Sequence, residues 1–149
     1  LFDCGEGSQR QMVRFGTGFG VNAVFFTHFH ADHFLGIIGF LRTLGMMGRT
    51  EPLPLHGPAG AHEILHAAIH LGVEELPFEV PIRELAGGDV VSADGYEVRA
   101  VEVDHRTTAL GYVLVEGDKP GRFDPAAAAR VGVPAGPLFA RLQEGESVR

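Results

Sequence analysis

One short stretch limits what this chain can become. Thr27-His28-Phe29-His30-Ala31-Asp32-His33 packs three histidines and an aspartate into six positions, an H-x-H-x-D-H cluster. The apolar run that precedes it, residues 21–26, reads as a buried strand. Phe34, Ile37, Ile38, Leu41 and Leu44 then fall at helical spacing. The cluster is therefore predicted on a loop between the C-terminal end of a strand and the N-terminus of a helix. That is where α/β sheets carry their sites.

The spacing suits metal. In a continuing strand His28 and His30 would share one face, and the rest of the motif would be buried with it. A turning loop lets His28 and His30 grip one ion while Asp32 and His33 reach a second. Neutral imidazoles and a carboxylate fit zinc, with manganese and iron as alternatives. Two such ions close together are a hydrolytic arrangement, bridging a hydroxide and clamping an oxyanion. As plain loop residues, Asp32 would cap the helix and the histidines would be solvated; capping is compatible with ligation.

Composition sets the bounds. At 149 residues, 45% hydrophobic and 21% charged, with mean hydropathy +0.10, the chain is one globular domain's worth and can bury a core. No apolar run approaches the ~20 residues of a membrane span, and no basic-then-apolar leader opens the chain. The single cysteine, Cys4, excludes an internal disulfide and fits a reducing cytoplasm. It reads as a small buried residue. A net charge of −7 argues against a nucleic-acid partner, but the charge is uneven. Residues 1–115 hold 7 Lys+Arg against 14 Asp+Glu, whereas residues 116–149 hold 5 of each.

Taken in order, residues 1–3 begin inside a strand-like segment and Asp3-Cys4-Gly5-Glu6-Gly7 turns out of it. Residues 7–15 predict a short helix with Ser8 as cap and Met12, Val13 and Phe15 facing inward. Gly36, Gly39 and Gly45 in the helix after the cluster point to close packing or room for a ligand. Arg42 and Arg49 read as solvated surface arginines, with phosphate contact as the alternative. A strand at 53–56 leads to a helix over 61–71. There His62, His66 and His70 line one face, read as the solvent face opposite Ile64, Leu65, Ala68 and Leu71. Strands are predicted at 78–82, 90–91, 96–103 and 110–115, with a hairpin turn at Ala93-Asp94-Gly95. From Glu116 the chain changes character. Two short helices, 125–131 and 138–142, stand between Gly/Pro hinges with little apolar surface, as in a protruding arm; a packed helical hairpin is the alternative.

The stretch THFHADHFLG resembles the signature of the metallo-β-lactamase superfamily. LFDCGEGSQRQMVRFG before it and DHRTTALGY, DKPGRFD and GVPAGPLF after it resemble the ribonuclease Z family within that superfamily. The resemblance runs over nearly the whole chain and implies an α/β (α+β) fold, the αββα metallo-β-lactamase sandwich, here incomplete. It implies that residues 1–117 are part of the core and 118–143 a protruding arm that binds transfer RNA. Residues 144–149 would open a missing second half, so the chain is expected to be an internal fragment, inactive alone. It also implies that His105 completes the first ion's trio with His28 and His30. Asp3 would lie beneath the metals in an outer shell, an Asx-turn role being the alternative. In the arm, Lys119, Arg122, Gly136, Pro137 and Leu138 would contact RNA.

The implied activity of the intact protein is endonucleolytic removal of the 3′ trailer of precursor tRNA. It would proceed by hydroxide attack at a two-zinc site, with Asp32 as both ligand and catalytic proton acceptor, in a cytoplasmic homodimer. A bridging aspartate, a further histidine and a leaving-group acid would lie beyond Arg149. Two other readings stand beside it. One is a hydrolase of the same fold acting on a small phosphodiester or ester. The other, for these residues alone, is a non-catalytic metal- or RNA-binding piece.

Overall fold

In the computed structural model, which describes residues 1–72, 75–117 and 121–148, the apolar run before the cluster forms β1 (Val24–Phe25). β1 pairs in parallel with β2 (Leu55–Gly57), and β2 in parallel with β3 (Ile82–Glu84). Phe2 makes a parallel bridge to Phe25 from the other side. Hydrogen bonds flank that bridge, from the Phe25 N–H to the Leu1 carbonyl and from the Asp3 N–H to the Phe25 carbonyl. Parallel strands finish on one edge of the sheet. Asp3, Thr27 and Pro58 therefore all emerge at the same end.

The ladders are shorter than the apolar runs. Pro52 and Pro54 have no N–H to donate, so pairing with β1 is confined to Val24↔Leu55 and Phe25↔His56. Residues 79–81 run beside β2 and accept from the Leu53 and Leu55 N–H groups at 2.9 Å each. Pro81 cannot donate back, and β3 starts one residue later than the proline, at the end of the predicted 78–82 strand.

A second three-stranded sheet, β4 (Val90–Ala93), β5 (Tyr96–Glu102) and β6 (Leu110–Glu116), runs in that order. β4 and β5 are antiparallel, with Ala93 opposite Tyr96, so Asp94-Gly95 is a two-residue turn in which Gly95 takes φ 80°. Alternation along β1 joins the layers. Val24 and Phe26 are buried with Ile37, Phe40 and Leu41 of α3 (Gly36–Met46) and Leu65 of α4 (Ala61–Ile69). Phe25 points the other way, into Val98, Ala100 and Leu110 of the second sheet. Helices, sheet and sheet form an incomplete αββα sandwich around β1.

α1 (Ser8–Phe15) differs from expectation. Gly7, at φ 77°, occupies the cap position, and no side chain caps the helix. Met12 packs on the core, while Val13 and Phe15 are each 70% exposed. The helix lies at the margin over α3, so only a narrow stripe of it meets apolar surface. The predicted 61–71 helix ends at Ile69; Ala61, Leu65 and Ala68 of α4 are buried, but Ile64, and Leu71 beyond its end, are exposed. The residues from Glu116 on form a second compact unit, with α5 (Pro125–Arg130) and α6 (Pro137–Gln143). Asp124 caps α5 by accepting from the Ala126 and Ala127 N–H groups, and Phe123 packs on Phe139 at 4.9 Å between ring centroids.

His56 makes the core acid-sensitive. Its ring is 5% exposed and stacked on Phe25 at 4.6 Å, and its Nδ1 has no hydrogen-bond partner among the described residues. Burial, reinforced by the Arg83 charge, pushes its pKa down from 6.5 to about 4. The unfolded chain therefore binds this proton at pH values where the folded chain refuses it. Stability is whole above pH 6.5 and falls between 6.5 and 4, by about 3 kcal/mol for this group. His56→Leu is expected to flatten that part of the profile in denaturant titrations at pH 7 and pH 4.5. An unchanged pH dependence would refute the assignment.

Candidate metal centre

The centre is built where β1 gives way to the turn into α2 (Ala31–Phe34). The Leu110 N–H donates to the Thr27 carbonyl at 2.8 Å, and the Tyr112 hydroxyl donates to the Phe26 carbonyl at 2.8 Å. These bonds tie the start of β6 to the end of β1, which brings the loop carrying His105 over the cluster. Burial, aided by the Asp3 charge, pushes the Tyr112 phenol pKa up, so this tyrosine stays a neutral donor.

His28, His30 and His105 converge. One nitrogen from each ring lies within 4.8 Å of the others. Ring centroids are 4.6 Å apart for His28–His30, 4.7 Å for His28–His105 and 5.2 Å for His30–His105, all steeply inclined. His28 Nε2 and His30 Nδ1 are 2.9 Å apart. Two nitrogens on a tetrahedral zinc lie about 3.3 Å apart, given Zn–N bonds of about 2.0–2.1 Å. A ring movement of a few tenths of an ångström would therefore admit the ion. Burial first, then the neighbouring His33, His30 and His105, holds His28 below the ordinary histidine pKa, against the pull of Asp3. It is kept in the neutral form that binds metal. The donor set fits a metal such as zinc.

Asp3 is the hub beneath this group. It accepts from the Thr27 N–H at 2.8 Å, from the Thr27 hydroxyl at 2.8 Å, and from His33 Nδ1 at 2.8 Å. A carboxylate only accepts, so His33 Nδ1 carries the hydrogen and Nε2 keeps its lone pair. The Thr27 hydroxyl spends its one hydrogen on Asp3 and receives one from His28 Nδ1, 3.0 Å away, which leaves His28 Nε2 as the ligating nitrogen. Asp3 holds φ 53°, a left-handed conformation that aspartate tolerates better than most residues.

Close backbone contact brings Asp3 there. The Cys4 N–H donates to the His33 carbonyl at 2.8 Å. A Cβ on Gly5 would lie 1.8 Å from the Asp32 carbonyl oxygen, and one on Gly36 would lie 2.0 Å from that of Gly5. Only glycine fits at either place.

Asp32 and His33 sit beside the trio. The Asp32 side chain is 84% exposed in the first turn of α2 and makes no cap, and its Oδ2 lies 3.8 Å from His33 Nε2. His33 in turn lies next to His28, the two ring centroids being 4.0 Å apart. Among the described residues, His28, His30 and His105 form the one cluster of three or more donors.

Other residues singled out by sequence lie elsewhere. Arg42 donates to the Ile69 carbonyl at 2.8 Å, and Arg49 to the carbonyls of Val21, Glu51 and Pro52. Both are ties between segments instead of free surface cations. In the second unit Arg122 is exposed, Gly136 precedes α6 at φ 146°, Pro137 opens that helix, and Leu138 is half-buried. Lys119 lies outside the described residues. Thr27 was not anticipated: a threonine before a histidine carries no signal until strand pairing sets Asp3 beside it.

Residues 1–123 match the model of the beta-lactamase superfamily domain. The chain belongs to that superfamily. It is 68% identical to the ribonuclease Z of Myxococcus xanthus and 54% identical to that of Halorubrum lacusprofundi. Each match covers 99% of this chain and 48% of the relative, so the chain spans about half the length of the curated relatives it matches. Among solved structures it resembles human tRNase Z, short form, with TM-score 0.66 and 27% identity over 80% of this chain and 54% of that one. Among the described residues no helix is long and apolar enough to cross a membrane.

Proposed function

We propose that the protein to which these residues belong is a ribonuclease Z, an endonuclease that removes the 3′ trailer of precursor tRNA. One observation carries this. Three ring nitrogens converge beside Asp32 and His33 in a chain that matches ribonucleases Z along 99% of its length.

In this reading His28, His30 and His105 hold one ion, and Asp32 and His33 contribute to a second, two zinc ions per intact subunit. When bound, such a pair supplies an activated water and charge neutralisation at the phosphate oxygens. The chain's own residues do the rest. Asp3 and Thr27 fix the tautomers of His33 and His28, and the exposed Asp32 carboxylate accepts the proton of the attacking water. In this reading residues 1–117 belong to the core, and residues 118–143 are the arm that grips tRNA through Lys119, Arg122 and the Gly136-Pro137-Leu138 segment. Residues 144–149 lead into the remainder of the domain. The single buried thiol of Cys4 fits a reducing cytoplasm, and the family resemblance supports a homodimer.

The test is substitution in the intact protein. His28→Ala, His30→Ala and His105→Ala should each lose the first ion in metal analysis and slow pre-tRNA cleavage by about a hundredfold or more. Unchanged metal content in all three would sink the assignment.

A further inference from the structure

The histidine stripe of α4 takes no part in the centre described above. His62, His66 and His70 are all exposed and stand one turn apart. Their ring centroids are 5.9 Å apart for His62–His66 and 4.1 Å for His66–His70. These separations bracket those of the three converging rings at the centre. His70 Nδ1 lies 2.8 Å from the His66 carbonyl oxygen. A carbonyl can only accept, so Nδ1 carries the hydrogen and the lone pair of His70 sits on Nε2.

A second observation adds a carboxylate. His66, His70 and Glu75 line one groove of about 540 Å³ with Ile69, Leu76 and Phe78. Arg42 already satisfies the Ile69 and Leu71 carbonyls at this end of α4. Glu75 is the one acidic side chain among the residues that line this groove.

We propose that His66 and His70 form a second metal site, a two-histidine chelate for a first-row transition-metal dication in the groove that Glu75 also lines, separate from the centre at His28, His30 and His105. Two imidazoles one turn apart on a helix are a known zinc-binding geometry. Imidazole with carboxylate also serves nickel and copper. In the metal-free arrangement the His66 and His70 rings stack at 27°. His66 is exposed, so rotation about its side-chain bonds can bring a ring nitrogen toward His70 Nε2 while His70 keeps its bond to the His66 carbonyl, and the core is undisturbed. With two strong donors and water completing its shell, the site binds more weakly than the three converging histidines of the centre.

Equilibrium dialysis of the full chain against Zn²⁺, and separately Ni²⁺, tests this with three single variants. His66→Gln and His70→Gln should each weaken the second class of binding by about a hundredfold, the loss of a chelate partner. Both should retain the ion held at His28, His30 and His105. His62→Gln should keep both classes. All three positions are exposed, and circular dichroism checks that α4 persists. Unchanged binding in the His66 and His70 variants overturns the proposal. So does a His62→Gln variant that loses the ion as fully as His70→Gln, since the chelating pair would then be a different one.

Discussion

Asp3→Asn in the intact protein is expected to lower metal affinity about 10–100-fold, with cleavage falling alongside it, while the fold keeps its stability. Asparagine has the same shape and tolerates the left-handed backbone that this position requires, at φ 53°. Its amide oxygen can still accept from the Thr27 N–H. Its NH₂ group, however, would then stand in place of Oδ2, the oxygen that accepts from both the Thr27 hydroxyl and His33 Nδ1. The hydroxyl can still donate to the remaining oxygen, 3.1 Å away. His33 has no such alternative: its Nδ1 must take the lone pair, so the hydrogen moves to Nε2 and that nitrogen can no longer ligate. Asp3→Ala would be a poorer probe, because alanine adds backbone strain at this φ and confounds ligation with stability. Dialysis against zinc, with thermal melts of the metal-free protein as control, separates the two effects. Wild-type metal affinity in Asp3→Asn would reduce the residue to a turn-former.

The strand–loop–helix around the cluster is legible in the sequence because its signals are local: an apolar run, four ligand-type residues and helical spacing lie within 24 consecutive positions. The roles of Asp3 and Thr27 are not, because they depend on pairing between residues 24 to 30 positions apart in the chain. Asp3 enters as a candidate through family resemblance, and its Asx-turn alternative rests on composition alone. His105 stands in the same position. A single histidine past a strand end says nothing until β6 docks on β1 through the Leu110 and Tyr112 bonds. Burial direction fails where an element is peripheral. Val13 and Phe15 are apolar, yet α1 presents too narrow a face to the core to shelter them. Arg42 and Arg49 depart from expectation for a related reason. A guanidinium near unpaired carbonyls satisfies backbone acceptors at helix and loop ends, and those acceptors cannot be located from spacing. The glycines are more readable. Gly36 is expected to permit close packing, and its Cα faces the Gly5 carbonyl at a distance no side chain allows.

If the protein is the ribonuclease Z proposed above, deleting residues 118–143 from the intact protein is expected to weaken pre-tRNA binding by about a hundredfold or more and leave hydrolysis of a small phosphodiester in place. The reason begins with charge. Residues 1–115 carry 7 Lys+Arg against 14 Asp+Glu, and such a body repels a polyanion, whereas the segment from 116 on balances 5 against 5. Attraction must therefore come from local cations. Arg122 and Arg130 are exposed with no ion pair among the described residues, whereas Arg141 is tied to Glu146 at 2.6 Å. The segment also has little core of its own. Ala128 is its one buried residue among those described, and α5 and α6 are separated by Gly132 and Gly136, both at positive φ. Such a unit is held by little buried apolar surface and can adjust to a bulky partner. His28, His30, Asp32, His33 and His105 all lie outside the deleted stretch, so the metal centre should survive. Every cation–phosphate pairing that the deletion removes should lower the slope of log affinity against log salt by roughly one unit. Arg122→Ala with Arg130→Ala should reproduce part of that change in slope without deleting anything. If the deletion left both affinity and salt slope intact, these helices would be an ordinary packed hairpin, and a small-substrate hydrolase would become the better account of the site.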